Sequence, residues 1–203
     1  CFGVWRRLGR CEFPLIHLVA PTVWAWRPGR AQRYPRTIDH LLALLPFEPP
    51  YFEREGLACT FVGHPVLESG AEKANGAVFR AEHRLGEMGP VLGILPGSRR
   101  AEVAQLLPHF GETVFRLADR FPNLEVVIPA IPTLVSKIKA ASRGWPVRTV
   151  VTSDVEMRFD AMAACDVAVA ASGTVSLELA LAGVPMVIGY RLNPVTMMLV
   201  RRM

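Results

Sequence analysis

The chain has 203 residues, 51% of them hydrophobic and 20% charged, with a formal net charge of +5. That balance excludes a mainly disordered chain and leaves room for one large domain or two small ones. The basic surplus, mostly arginine, fits either an acidic partner (a nucleotide, an anionic membrane surface, a nucleic acid) or a solvated basic face.

In chain order, PLIHLVA at 14–20 is a short apolar run bounded by prolines, the pattern of a buried strand. IDHLLALLP at 38–46 and CTFVGHP at 59–65 are further strand candidates, the first ambiguous. Residues 66–89 are more polar, carry no strand pattern and suit a linker followed by a helix. VLGIL at 91–95 then reads as a strand. Helical spacing follows from Val103 to Phe121, with Pro108 inside it. Proline suits the first position of a helix, so two helices are expected, the second starting near Pro108. Strands are expected at 124–130, 147–151, 166–172 and 185–190. Helices are expected at 134–142, 155–165 and 174–183.

This alternation predicts an α/β chain built on doubly wound parallel sheets covered on both faces. In such folds, ligands bind beyond the carboxyl ends of the strands. Three loops fall at those ends: PGSRR, PAIP and ASGT.

PGSRR at 96–100 offers Gly97 for an unusual backbone turn, Ser98 as a helix cap and Arg99 as a permanently charged fork. The helix start that follows has free N–H groups and a positive dipole end, which together favour an anion. The alternative is a capped helix with surface arginines. No G-K-[ST] closes the loop, so it is not a Walker A element.

ASGTVSLE at 171–178 repeats the arrangement. Ser172, Gly173 and Thr174 can donate to an anion, and Glu178 lies one helical turn after Thr174. A carboxylate there can accept from a vicinal diol such as ribose. The alternative is a capping Ser/Thr pair with an exposed Glu. Glu178 is, however, the only charge between Asp166 and Arg191. Two cradles on one sheet suit a nucleoside diphosphate, whereas a simple monoanion needs only one.

Elsewhere, Trp24 and Trp26 precede Arg27, Arg30 and Arg33 at three-residue intervals. This stretch fits either a lipid headgroup surface or a packed corner with a solvated arginine ridge. His64, in the GHP turn, is a candidate acid/base or hydrogen-bond donor, or a structural turn histidine. His17, inside a strand, reads as a core or interstrand residue. Glu48, in the rigid LPFEPPYF loop, is a weaker candidate for an acceptor contact. The cysteines Cys1, Cys11, Cys59 and Cys165 form no C-x-x-C pair and no zinc-ligand spacing, so reduced, mostly buried thiols are expected and no metal site. No signal-peptide order is found at the start, and no uncharged run reaches the roughly 18–20 residues of a spanning helix.

PTVWAWRPGR, LLPFEPPYF, FVGHP, LPGSRRAEV and ASGTVSLELALAGVPMVIGYR occur in this order. Together they closely resemble the lipid-A-disaccharide synthases, from about residue 14 to the last. The resemblance implies a two-domain GT-B glycosyltransferase. Residues 1–66 would be the tail of an N-terminal acceptor-side domain, and 67–203 most of a C-terminal UDP-sugar-binding domain. It implies transfer of 2,3-diacylglucosamine from UDP to 2,3-diacylglucosamine 1-phosphate (lipid X), forming a β(1→6) bond and releasing UDP. The transfer would invert the anomeric centre and need no metal and no cofactor. It further implies a cytoplasmic enzyme, peripheral on the inner membrane, with the Trp24–Arg30 stretch on the lipid side. A homodimer is allowed but not required.

By the same resemblance Gly97, Ser98, Arg99, Ser172, Gly173, Thr174 and Glu178 would contact UDP, with His64 and Glu48 near the acceptor cleft. The family's glycine-rich first turn, the acidic residue proposed as its general base and its C-terminal return segment have no counterpart here. The chain is therefore expected to be an internal fragment, its catalytic base unknown, and inactive alone. Rival readings are another GT-B protein, of the peptidoglycan N-acetylglucosaminyltransferase or UDP-sugar epimerase type, and a basic nucleic-acid-binding module. The front motifs disfavour the first. Strands apolar on both faces disfavour the second, so no nucleic-acid partner is expected.

Overall fold

The computed structural model describes residues 13–191. They separate into two compact units, with the boundary between Leu67 and Glu68.

In the first unit, strands β1 (Ile16–Leu18), β2 (His40–Ala43) and β3 (Ala58–Phe61) form a parallel sheet in the order β1-β2-β3. A short helix, α1 (Pro49–Glu53), opens with two prolines, whose fixed φ suits a first turn that needs no N–H partner. Val23, Leu41, Ala43 and Phe52 make the centre of the core, each essentially inaccessible to solvent. The run at 14–20 is not the buried strand that its composition predicts. Ile16 is 56% and Leu18 51% exposed, because they share a sheet face with His40 and Leu42, opposite the buried Leu41 and Ala43, and that face is left open among the described residues. His17 lies edge-on to Tyr34, with ring centroids 6.0 Å apart.

The second unit carries strands β4 (Val91–Leu95), β5 (Glu125–Pro129), β6 (Arg148–Thr152), β7 (Val167–Ala171) and β8 (Met186–Gly189). All pair in parallel, in the order β6-β5-β4-β7-β8. Side chains alternate across a strand, so one sheet needs two cores. Val91, Leu95 and Val127 pack on one face with Phe79, Ala161 and Met162. Leu92, Ile94, Val126 and Ile128 pack on the other with Val103, Leu106 and Phe110. The helices that cover these faces are α2 (Gly76–His83), α3 (Arg100–Ala118), α4 (Val135–Ser142), α5 (Arg158–Ala163) and α6 (Thr174–Leu181).

Helix α3 runs unbroken through Pro108, where two helices were expected. Val103, Leu106, Leu107, Phe110 and Val114 keep one continuous buried stripe. Pro108 and Ala104 are both exposed, so the hydrogen bond that the proline cannot make is lost on the side open to water. Helix α5 is shorter than the expected 155–165. Asp154 Oδ1 accepts from the N–H groups of Glu156, at 2.8 Å, and Met157, at 3.2 Å, which keeps those residues in a turn.

The amino ends of the strands are tied by ion pairs. Asp166 accepts from Val91 N–H and from Arg80 Nη2, both at 2.8 Å. Glu125 accepts from Gly86 N–H and pairs with Arg148, both at 2.6 Å. Burial pushes the Cys165 thiol, beneath this edge, up to about 12 and the Cys59 thiol up to about 11; neither forms a disulfide among the described residues. The remaining expected thiols, Cys1 and Cys11, lie outside the described residues.

Gly76 opens α2 where the helix crosses α5. A Cβ at this position would lie 2.3 Å from the Ala163 carbonyl oxygen, a backbone atom that cannot rotate away. Gly76→Ala is therefore expected to destabilise the chain by about 1–3 kcal/mol through overpacking, read as a lower midpoint in urea or heat.

Candidate functional site

The order β6-β5-β4-β7-β8 reverses direction between β4 and β7. The chain leaves β4 toward β5 on one side, and β7 continues to β8 on the other. Loops leaving such a pair of strands part from one another and open a crevice at their carboxyl ends. A cleft of about 370 Å³ lies there, lined from four loops: those after β4, β5, β6 and β7.

The loop after β4 brings Gly97, Ser98 and Arg99 to the cleft. Gly97 has φ +103°, a conformation that a side chain would strain. Its missing side chain also leaves room for Glu102, whose Oε2 would stand 2.1 Å from a Cβ at that position. Ser98 does not cap the helix as expected. The N-cap is Arg99, which makes no capping bond with its side chain. The first helical bond is Val103 N–H to Arg99 C=O at 3.0 Å, so the N–H groups of Arg100, Ala101 and Glu102 have no partner in the helix. Arg99 is exposed and makes no ion pair among the described residues.

The loop after β7 brings Ser172, Gly173 and Thr174 to the opposite wall. The Ser172 N–H is already spent on the Gly189 carbonyl at 3.2 Å, which leaves only its hydroxyl for another partner. Ser176 bonds back to the Gly173 carbonyl through both its N–H, at 3.1 Å, and its hydroxyl, at 2.7 Å. The N–H groups of Thr174 and Val175 precede that first bond and stay free of the helix. A Cβ added at Gly173 would meet no atom within 4 Å, so this position stands at open space on the cleft wall.

Glu178 also lines the cleft but is not an idle surface carboxylate. It forms an ion pair with Arg158, the first residue of α5, and its side chain is 13% exposed. Arg158 was missed at the level of sequence. Its loop follows β6, so the rule that singled out PGSRR, PAIP and ASGT applies equally to TSDVEMR. That stretch lacks the small-residue turn that marks the other loops. Asp154 lines the same wall, with its carboxylate engaged by its own turn. The PAIP loop contributes Ala130, Ile131 and Pro132, an apolar wall.

The other candidates lie in the first unit. The Glu48 carboxylate is buried and accepts from Leu45 N–H at 3.0 Å and from the Trp24 indole N–H at 3.4 Å. One oxygen closes the LPFE turn and the other holds the Trp24 indole, so Glu48 supports Trp24 rather than projecting as a free contact. His64 Nδ1 accepts from Val66 N–H at 3.1 Å, which puts the proton of the neutral ring on Nε2. Trp24 stacks edge-on against Phe47, with centroids 5.3 Å apart, and the Arg27 guanidinium lies 5.4 Å from the centre of the Trp26 ring. Both tryptophans are about two-fifths exposed. Pro28–Arg33 is a 3₁₀ helix, whose three-residue turn puts Arg30 and Arg33 on one side as a ridge. Among the described residues, no helix is long and apolar enough to cross a membrane.

Gly97→Ala is expected to cost about 1–2 kcal/mol of stability from backbone strain alone. Glu102, at the end of a flexible side chain, can move aside. The urea midpoint of the folded variant checks this, and an unchanged midpoint would mean that the turn relaxes freely.

The family described as lipid-A-disaccharide synthetase matches residues 7–203. The chain is similar to the lipid-A-disaccharide synthase of Rhodospirillum centenum, at 55% identity over all of this chain and 51% of that protein. It is also similar to the Paramagnetospirillum magneticum synthase, at 48% identity over 93% of this chain and 48% of the relative. The chain thus spans about half the length of the curated relatives it matches. Among solved structures, a family 9 glycosyl transferase from Veillonella parvula matches 85% of this chain and 63% of its own, with a TM-score of 0.47 at 16% identity. The family match over residues 7–203, with 55% identity to the Rhodospirillum centenum synthase across all of this chain, leaves one conclusion: the chain belongs to the lipid-A-disaccharide synthetase family.

Proposed function

We propose that the cleft of the second unit binds the UDP part of a UDP-linked 2,3-diacylglucosamine, and that the whole protein transfers this sugar to lipid X. The observation that carries the reading is the convergence of two helix starts on one cleft, with Arg99 at its edge and Glu178 in its wall. On this reading the chain is part of a GT-B enzyme, with the acceptor-side residues in 1–66 and the UDP-sugar residues in 67–203. Family membership supports it and disfavours the peptidoglycan transferase, epimerase and nucleic-acid readings.

The chemistry follows from charge. When the sugar leaves UDP, negative charge grows on the terminal phosphate. Groups already aimed at that position stabilise the transition state more than the ground state. The free N–H groups of Arg100–Glu102 and of Thr174–Val175 are such donors, fixed by their helices. Arg99 adds a planar fork that bonds phosphate oxygens in pairs. These groups can stabilise the leaving diphosphate without a metal, which supports a metal-independent transfer; inversion at the anomeric carbon is proposed from the family resemblance alone. Ser98, Ser172 and Thr174 contribute hydroxyls, and Gly97 and Gly173 let the backbone come close. Glu178 accepts from the ribose diol. The Glu102 carboxylate, beside Gly97, would repel a phosphate and must turn outward as UDP enters.

In the first unit, Trp24, Trp26, Arg27 and Arg30 suit an anionic membrane surface. Their half-exposed rings and cationic ridge match an interface in which both acylated substrates reside. His64, through Nε2–H, remains a candidate donor on the acceptor side.

Calorimetric titration of UDP tests the reading. Saturable binding is expected, and Arg99→Ala should weaken it about tenfold to a hundredfold, the usual worth of a hydrogen bond to a charged group. A folded chain, verified by circular dichroism, that ignores UDP would reduce PGSRR to a simple strand-to-helix connection.

A further inference from the structure

Arg158 and Glu178 come from successive crossover helices, α5 and α6, and meet in the cleft wall. Their contact is one-sided. Nη2 of Arg158 pairs with Oε1 of Glu178, and no partner reaches Oε2 among the described residues. The arginine is held in turn by the next residue, since its guanidinium lies 4.7 Å from the centre of the Phe159 ring. Of the two side chains the carboxylate is the deeper, 13% exposed against 40% for the arginine. A glutamate so placed would otherwise sample several rotamers. Tied by one oxygen to a stacked guanidinium, it keeps one orientation.

We propose that Arg158 is a positioning residue for Glu178. It engages Oε1 so that Oε2 stands ready to accept from a ribose hydroxyl, and so makes the cleft discriminate ribonucleotides from deoxyribonucleotides. This inference rests on the nucleotide reading of the cleft and goes beyond it. That reading requires only that Glu178 accept from the sugar. Here the acceptance depends on a second residue that never touches the ligand. The distinction has chemical content, because an arginine in a diphosphate cleft has an obvious rival role as a phosphate ligand. Arg99 is the better candidate for that role, since it is exposed and without an ion pair among the described residues, whereas Arg158 already spends its charge on Glu178.

The test compares UDP with 2′-deoxy-UDP by calorimetry, on the chain and on the R158Q, R158M, R158K and E178Q variants, each first shown to be folded by circular dichroism. The chain should prefer UDP by about tenfold or more, the worth of one hydrogen bond to a charged acceptor. R158Q should lose most of this preference while its affinity for 2′-deoxy-UDP changes by less than about threefold. R158M provides a second neutral replacement that keeps the aliphatic stem, should R158Q not fold. E178Q should lose the preference to the same extent, and R158K, which restores charge without the planar fork, should recover part of it. A double R158Q/E178Q variant should be no worse than either single one, as for residues acting as a unit.

Three results would overturn the proposal. If R158Q and R158M keep the full preference while E178Q loses it, the nucleotide reading stands and the positioning role is wrong. If the Arg158 variants weaken both nucleotides equally, Arg158 binds phosphate. If the unaltered chain binds neither nucleotide, the nucleotide reading fails and this inference fails with it.

Discussion

Strand β4 is buried along its whole length, and the second unit is arranged around that constraint. A strand covered on both faces cannot place a polar side chain anywhere but at its ends. The amino ends of β4 and its neighbours are closed by Asp166 with Arg80 and Glu125 with Arg148. The carboxyl ends therefore carry whatever chemistry the unit has. The strand order turns at β4 and β7, and two helices begin at that point. Free N–H groups accumulate there because no strand or helix remains to use them. The cleft is thus a consequence of topology before it is a matter of particular side chains.

The two sheet edges also treat charge differently. At the amino edge, cations and carboxylates meet at 2.6–2.8 Å and tie α2 to the strands. At the carboxyl edge, Arg99 is left outside any such pair among the described residues, and Glu178 is paired through one oxygen only. An edge built for stability would pair both. Unspent donors and acceptors on opposite walls are what a ligand bearing both a diphosphate and a diol needs.

Much of this was legible in the sequence. The alternation of apolar strands and amphipathic helices carried the parallel α/β arrangement, and PGSRR and ASGT mark both cradles because small residues are required where strand passes sharply into helix. What sequence reasoning missed has physical causes. Pro108 signals a break, but a helix tolerates it when the lost bond faces water, and exposure is a tertiary property. Ser98 looks like a cap, yet the helix begins one residue later, at a boundary that capping signals locate poorly. PLIHLVA looks buried, because composition cannot show that one face of its sheet is left open among the described residues. Glu48 reads as a free acid in a loop until its partners, Trp24 and the Leu45 N–H, are seen 24 and 3 residues away. Arg158 needed the most structure: its meaning comes from Glu178, which lies 20 residues further along the chain, in the next crossover connection.

The central claim is that two helix starts on opposite walls serve one ligand. Amide chemical-shift mapping with UDP, on uniformly ¹⁵N-labelled chain, tests it most directly. The account predicts concerted, saturable shifts at Gly97–Glu102 and at Gly173–Val175, with one dissociation constant for both groups. Shifts confined to one cradle, or fitted by two different constants, would contradict it.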